Sequence, residues 1–531
     1  MEREEIKRVI EEGKTSLGIE LGSTRIKAVL INEKHEVVAS GSYDWENQLV
    51  DDIWTYSLEA VKTGLQAAYR ALAEEVKSKY EIKLRKVGSI GISAMMHGYL
   101  VFDKEGRQMV EFRTWRNTMT EEAAAALTAE FGFNIPQRWS IAHLYQAMIN
   151  KEEHTEDIDF LTTLAGYVHW QLSGEKVLGV DDASGVFPID SASCDYDKQM
   201  ISKFAKLSDG YKWNLSDILP KVLRAGEKAG VLSIQGAEYL DPGGELESGI
   251  LLCPPEGDAG TGMVATNSVA ERTGNISAGT SIFAMIVLEK ALKEVHTEID
   301  MVSTPDGKPV AMAHCNSCTS DLDAWMKMFE EVLGLFGKEV DKDDLYSVLY
   351  NEALIGDKDG GGLLAYNYYA GEPITKMEAG RPLLVRHPNS RFRVADLMRT
   401  LLSSSMATLK LGMDILRKQE DVRLEKVYGH GGLFKTKEVG QGLMAAALEV
   451  PVTVLETAGE GGAWGIAVLA DYLVNKEDEE SLADYLALKV FKGAQSSTME
   501  ADEEDIAGFR SFMKKYEAGL AIEKAAVDNL E

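Results

Sequence analysis

Residues 16–31 carry two apolar runs on either side of Gly22-Ser23-Thr24, a pattern that predicts a strand, a tight turn and a second strand. Helical periodicity follows at residues 54–80 and 121–131, with a strand-like stretch at 86–93 between them. In the second half a helical pattern at 321–335 leads to a glycine-rich loop at 359–362 and a helix through 394–417. A strand at 426–428 comes next, then Gly429, Gly431 and Gly432, a helix running to Leu448 and a strand at 452–455. Residues 457–465 (TAGEGGAWG) open a final helix. Strands alternating with helices predict an α/β protein. Residues 1–15 read as a short charged helix ahead of the fold, and the acidic stretches 476–480 and 500–505 as solvated surface or helix starts.

The pattern repeats itself. Ile19-Glu20-Leu21-Gly22-Ser23-Thr24-Arg25-Ile26 has a counterpart in Ile276-Ser277-Ala278-Gly279-Thr280-Ser281-Ile282-Phe283, and each runs into an apolar strand. Two strand–Gly–hydroxyl–hydroxyl–strand units near the starts of the two halves suggest a duplicated architecture. Two unrelated hairpins would give the same echo, because Gly and Ser are common in turns.

Composition narrows the partners. A chain of 531 residues is too long for one core and predicts two to four domains. Its net charge of −29 argues against nucleic acid or an anionic membrane. Residues 1–14 are charged and lack the apolar core of an export signal, and the longest apolar stretches, such as 283–288, are too short to span a bilayer. The expectation is a protein in solution in the cytoplasm. Four cysteines fit a reducing compartment. Cys315 and Cys318 have C-x-x-C spacing, but zinc needs about four ligands and no second pair exists, so a structural role is favoured.

The two turns carry the chemistry. Gly22, Ser23 and Thr24 expose consecutive N–H groups and two hydroxyls toward one point, and glycine lets an anion approach closely. Gly279, Thr280 and Ser281 repeat the arrangement, so that together they could hold a polyphosphate from two sides. No G-x-x-x-x-G-K-[ST] occurs, which excludes a Walker-type loop. Glu20 stands beside the first turn, either as a Mg²⁺ ligand, directly or through water, or as a surface carboxylate at a strand end. Asp258, in Glu256-Gly257-Asp258-Ala259-Gly260, is either a general base for a hydroxyl attacking phosphorus or an Asx-turn residue.

In the order of these landmarks the chain resembles the FGGY family of carbohydrate kinases, from about residue 16 to the C-terminus. Ile19–Thr24 is similar to the first phosphate motif I-D-x-G-T-[ST], and Met96-His97-Gly98 to the sugar-contacting M-H-G of xylulokinases. Trp115-Arg116-Asn117 stands where relatives have a tryptophan and an Asn/Asp turn. Asp182-Ala183-Ser184-Gly185 followed by Ile189-Asp190 resembles D-A-[AS]-G…L-D. Gly257-Asp258-Ala259 resembles G-D-x-x-A, whose Asp is the catalytic base, and 277–281 resembles the second phosphate loop S-x-G-T-S. Tyr369–Glu372 is similar to Y-x-G-E, Gly429–Gly432 to the adenosine-side glycines, and residues 460–467 to the closing helix start.

The resemblance implies two ribonuclease-H-like, actin-like ATPase domains, at 16–264 and 265–531, with an interdomain cleft. It implies ATP and Mg²⁺, and a ketopentose, ketohexose or polyol as acceptor. Asp258 would be the base, and Met96, His97, Trp115 and Asn117 would contact the sugar. Gly22, Ser23, Thr24, Lys27, Gly279, Thr280, Ser281, Gly431, Gly432 and Gly461 would hold the nucleotide, and Glu20 with Asp258 the metal. In so acidic a protein, Mg²⁺ and backbone N–H groups must supply the positive potential that ATP needs. The resemblance leaves a homodimer open.

The sequence departs from the family at Glu20, where relatives carry Asp, at Met95, where xylulokinases have Gln, and at His143, near where many members have Lys. The adenosine loop is longer than usual. These changes mark a divergent branch and leave a rival reading, a nucleotide-binding regulator or weak ATPase that no longer phosphorylates sugar. A chaperone-like ATPase of the same superfamily lacks any evident peptide-binding domain.

Overall fold

The computed structural model describes residues 3–436, 438–456 and 461–530, so the Thr457–Glu460 part of the last glycine loop lies outside the described residues. The chain forms two compact units. The first comprises Met1–Val269, Met301–Val310 and Glu460–Gly493; the second comprises Ala270–Asp300, Ala311–Gly459 and Ala494–Glu531. The helix Gly461–Asn475 therefore groups with the first unit, although it lies within the 265–531 range expected for the second domain.

In the first unit β1 (Ser16–Leu21), β2 (Arg25–Ile31) and β3 (Val37–Asp44) form an antiparallel meander. β4 (Ser89–Ala94) joins β1 in parallel, and β5 (Leu251–Leu252) and β6 (Glu256–Gly257) extend the sheet beyond it. The order is β5-β4-β1-β2-β3.

Register explains which residues face which helix. Ile19 pairs with Ala28, and Ala28 with Gly41, so these three share one face; Gly18, Val29 and Ser40 share the other. Glycine is needed on each face. A Cβ on Gly41 would lie 2.3 Å from the Ala68 carbonyl oxygen in helix Leu58–Tyr80, which packs there. A Cβ on Gly18 would lie 2.1 Å from the Ala463 carbonyl oxygen, which lets helix Gly461–Asn475 close the opposite face. Glu20 has the parity of Gly18 and so points to the start of that helix. Leu17, Ile19, Leu21, Ile26, Ala28 and Leu30, on the other face, join one buried apolar core with Leu65, Ala68 and Leu72.

The second unit repeats the plan. β7 (Thr273–Ala278) and β8 (Ile282–Val287) form the echoing hairpin. In the sheet order β9 (Ile299–Ser303) and β10 (Pro309–Cys315) continue on the β8 side, although residues 301–310 group with the first unit. β11 (Lys426–His430) pairs with β7 in parallel, followed by β12 (Val452–Leu455) and β13 (Ser496–Met499). The order is β9-β10-β8-β7-β11-β12-β13. In both units the hairpin's first strand has an antiparallel neighbour on one side and a parallel one on the other, which is the duplication the echo suggested. Helix Val394–Asp414 is buried on almost every side and forms this unit's interior. Among the described residues no helix is long and apolar enough to cross a membrane.

Candidate active site

Each glycine turn is held by its carbonyls. In the first, Trp45 Nε1 donates to the Gly22 carbonyl (2.7 Å), Tyr56 Oη to that of Ser23 (2.6 Å) and the Trp45 amide to that of Thr24 (3.1 Å). Trp45 and Tyr56 stack with centroids 4.2 Å apart, which stiffens the support. A trans peptide points its N–H opposite its C=O. Pinning three successive carbonyls therefore turns the amides of Ser23, Thr24 and Arg25 to the other side, as an anion-binding nest requires.

The second turn reaches the same result with other residues. The Gly279 carbonyl accepts from the Thr319 amide (3.1 Å) and hydroxyl (2.8 Å), and the Thr280 carbonyl from the Cys318 amide (2.8 Å). The amides of Thr280 and Ser281 are thereby directed away. The pinning segment is itself anchored: buried Glu372 accepts from the Asn316 amide (3.0 Å), and Asn367 Nδ2 donates to the Cys318 carbonyl (3.0 Å). Burial pushes the Glu372 carboxyl up to about 7. Of the C-x-x-C pair, Cys318 thus serves through its backbone. Both thiols are unpaired and buried, and burial pushes that of Cys318 up to about 12. Among the described residues no group of three or more His, Cys, Asp or Glu side chains could hold a metal ion.

Gly431, φ +102°, continues this unit's site. A Cβ there would lie 2.4 Å from the Ala278 carbonyl oxygen, so only glycine brings the 431–432 backbone against the strand end before the second turn. Gly461, φ +77°, opens its helix in the first unit, beside Glu20. Glu20 Oε2 accepts from the Ala463 amide (3.1 Å), and a Cβ on Gly462 would collide with that carboxylate at 2.3 Å. Lys27 faces Glu20 across the β1–β2 pair. Burial first, then the charge of Asp258, push Glu20 up to about 7, against Lys27 and the Ala463 bond.

Asp258 is the first residue of helix Asp258–Ala265. Its Oδ1 accepts from the Met96 amide at 3.0 Å, which ties it to the Met-His-Gly segment 162 residues away in sequence. The side chain is exposed, yet protein surrounds it densely enough that desolvation raises its carboxyl, opposed by the amide bonds from Met96 and Ala259. His97 and Gly98 take left-handed backbone, φ +71° and +111°, making the turn sharp. His97 is buried, and Nδ1 lies 3.2 Å from the Gly185 carbonyl, so Nδ1 carries the proton and Nε2 is the acceptor. Burial and nearby Arg138 hold the ring well below its ordinary pKa, hence neutral. Trp139 stacks on it at 6.3 Å. His143, set against Tyr99, is also buried and held neutral.

The aromatic turn divides. Trp115 is 41% exposed and presents its ring to solvent. Asn117 is buried with its amide committed: Oδ1 accepts from the Trp54 amide (2.9 Å), while Nδ2 donates to the carbonyls of Trp54 (2.9 Å) and Thr114 (3.0 Å). Sequence reasoning set Asn117 against the sugar; the structure makes it a brace of the turn that carries Trp115.

Comparison with known proteins gives the lineage. Residues 15–242 match the N-terminal domain, and residues 274–474 the C-terminal domain, of the FGGY family of carbohydrate kinases. The chain belongs to the FGGY family of carbohydrate kinases. This FGGY kinase is 22% identical over 479 residues to a xylulose kinase of Haemophilus influenzae, covering 84% of this chain and 89% of that one. It resembles the structure of ligand-bound xylulose kinase from Lactobacillus acidophilus (TM-score 0.77, 15% identity, 96% and 98% of the chains). It also resembles Plasmodium falciparum glycerol kinase with ADP (TM-score 0.73, 16% identity, 94% and 97%). The two-domain, actin-like ATPase fold expected from the sequence is the one observed.

Sequence reading missed Asp181 and Glu256, two buried carboxylates packed behind Asp258. The signal was there, in the doubled Asp181-Asp182 and in an acid directly before Gly257-Asp258.

Proposed function

We propose that this carbohydrate kinase transfers the terminal phosphoryl group of ATP to a hydroxyl of a ketopentose, ketohexose or polyol, with Asp258 as general base. The observation that carries the reading is the 3.0 Å bond from the Met96 amide to Asp258, because it sets the base and the Met-His-Gly turn side by side. Met96 bonds Oδ1, and the acceptor's proton would pass to Oδ2. A carboxyl raised by its surroundings is a better proton acceptor near neutral pH than an ordinary aspartate. His97 Nε2 receives a hydrogen bond from the sugar, and the exposed ring of Trp115 offers an apolar face to its C–H surface. Likeness to xylulose kinases supports testing a ketopentose first among acceptors.

Each glycine turn offers its amides and hydroxyls to nucleotide phosphate, Gly22-Ser23-Thr24 with Lys27 and Gly461 in the first unit and Gly279-Thr280-Ser281 with Gly431 and Gly432 in the second. Glu20 and Asp258 fit a hard divalent cation: they are oxygen donors whose mutual repulsion contributes to raising Glu20. Mg²⁺ held there would neutralise charge on the phosphates. The Ala463 amide keeps Glu20 in place at the longer reach that replaces the family's Asp.

The test is ADP release across a panel of ketoses and polyols. A member of the panel should stimulate release, and Asp258→Ala should abolish it while calorimetry still shows nucleotide binding. Full turnover by that variant refutes the assignment, and sugar-independent hydrolysis throughout would instead favour the regulator or weak ATPase.

A further inference from the structure

The helix that carries Asp258 begins without a cap of its own. Its N-cap residue is Gly257, which has no side chain to receive the first-turn amides. The missing acceptor comes from elsewhere in the first unit. Asp181 Oδ2 accepts from the Gly257 amide at 3.0 Å and from the Gly260 amide at 3.1 Å. A Cβ on Gly260 would lie 2.4 Å from Asp181 Cγ, and one on Gly257 would lie 3.0 Å from Asp181 Oδ2. Gly260 is therefore required for the carboxyl to reach the backbone, and a side chain at Gly257 would crowd it.

The clamp is reciprocal. Glu256 Oε2, two residues before Asp258, accepts from the Asp182 amide at 3.3 Å, while Asp182 Oδ2 receives the Thr163 hydroxyl at 2.6 Å. Asp181, Asp182 and Glu256 are all fully buried.

We propose that Asp181 is a positioning residue for phosphotransfer: by clamping the Gly257 and Gly260 amides it fixes the direction in which Asp258 presents its carboxyl to the acceptor. The inference rests on the general-base reading of Asp258. Asp181 itself has no route to substrate, since its carboxyl is buried behind the helix start. Asparagine keeps a side-chain oxygen at the same reach for the Gly257 and Gly260 amides and should therefore replace it.

Asp181→Ala and Asp181→Asn are measured beside Asp258→Ala, with kcat expressed per nucleotide-binding site from calorimetric titration so that unfolded protein does not count. Asp181→Ala should lower kcat about 100-fold, the scale of an ångström's misplacement of a reacting group, with both KM values little changed. Asp181→Asn should recover most of the loss. Where Asp181→Ala does not fold, Gly260→Ala, whose new methyl displaces the same carboxyl, takes its place. An unchanged kcat per site in Asp181→Ala, a rise in KM without a fall in kcat, or no recovery by Asn overturns the proposal while leaving Asp258 as the base. Retained turnover in Asp258→Ala overturns the base assignment, and this inference falls with it.

Discussion

Tyr56→Phe removes one oxygen, and Trp45→Phe removes the indole N–H together with part of a buried ring; with them go two of the bonds that aim the first glycine turn. Each such bond contributes about 1 kcal/mol net. The turn is half-buried, so water partly replaces the lost donors, but the truncated Trp45 ring also leaves a void, and the double variant should lose about 2–4 kcal/mol of stability. Function should suffer separately. With two carbonyls unpinned, the Ser23 and Thr24 amides no longer share one direction, and about 1–2 kcal/mol of phosphate binding corresponds to a 5–30-fold rise in nucleotide KM. Acceptor KM should not move. Steady-state kinetics with each substrate varied in turn would show this, and Tyr80→Phe is the control. It loses a comparable bond, to the Val38 carbonyl at 3.0 Å, within the same unit but away from the turn. The reasoning is refuted if the double variant is destabilised like the control and still binds nucleotide as the wild type does.

Other consequences are as direct. Asn117→Ala removes the hydrogen bonds of a buried amide and should cost about 2–4 kcal/mol in chemical denaturation; a selective rise in acceptor KM with unchanged stability would favour a sugar contact instead. His97→Ala should raise acceptor KM at least tenfold and spare nucleotide KM, and equal effects on both would deny it a sugar contact. Glu372, raised from 4.5 to about 7 by burial, binds its proton more tightly folded than unfolded. Its contribution to stability is thus full below its unfolded pKa and is lost as pH rises through about 7. Glu372→Gln should flatten the fall of Tm across that window, and parallel curves for wild type and variant would rule this out.

Much of the fold was legible because it is written in local periodicity. The expected strand–turn–strand at 16–31 is β1 and β2, and the helix at 121–131 has the predicted limits. The helix expected at 54–80 starts instead at Leu58, because Ser57 accepts from the Ala60 amide and caps it, while Ile53–Thr55 forms a short strand. The acidic run at 500–505 is a helix start, with Asp502 accepting from the amides of Glu504 and Asp505. The helix expected to run to residue 417 ends its regular course at Asp414 and widens into a π-type turn over Ile415–Gln419.

The site was legible only in part. The turns and Asp258 announce themselves through glycine and hydroxyl spacing. The groups that aim them do not: Trp45, Tyr56, Thr319 and Asp181 act through contacts between residues 20 to 80 positions apart, and no periodicity encodes such pairs. Asn117 is the converse case, a polar residue in a suggestive motif whose amide bonds the backbone of Trp54 and Thr114 and the Thr114 hydroxyl.

A crystal structure with a non-hydrolysable nucleotide and the best acceptor from the panel tests the general base most directly. The attacked hydroxyl should lie about 2.6–3.2 Å from Asp258 Oδ2, with the Met96 amide still on Oδ1. An Asp258 carboxylate turned into its own loop, with the acceptor oxygen facing a different residue, would contradict the account.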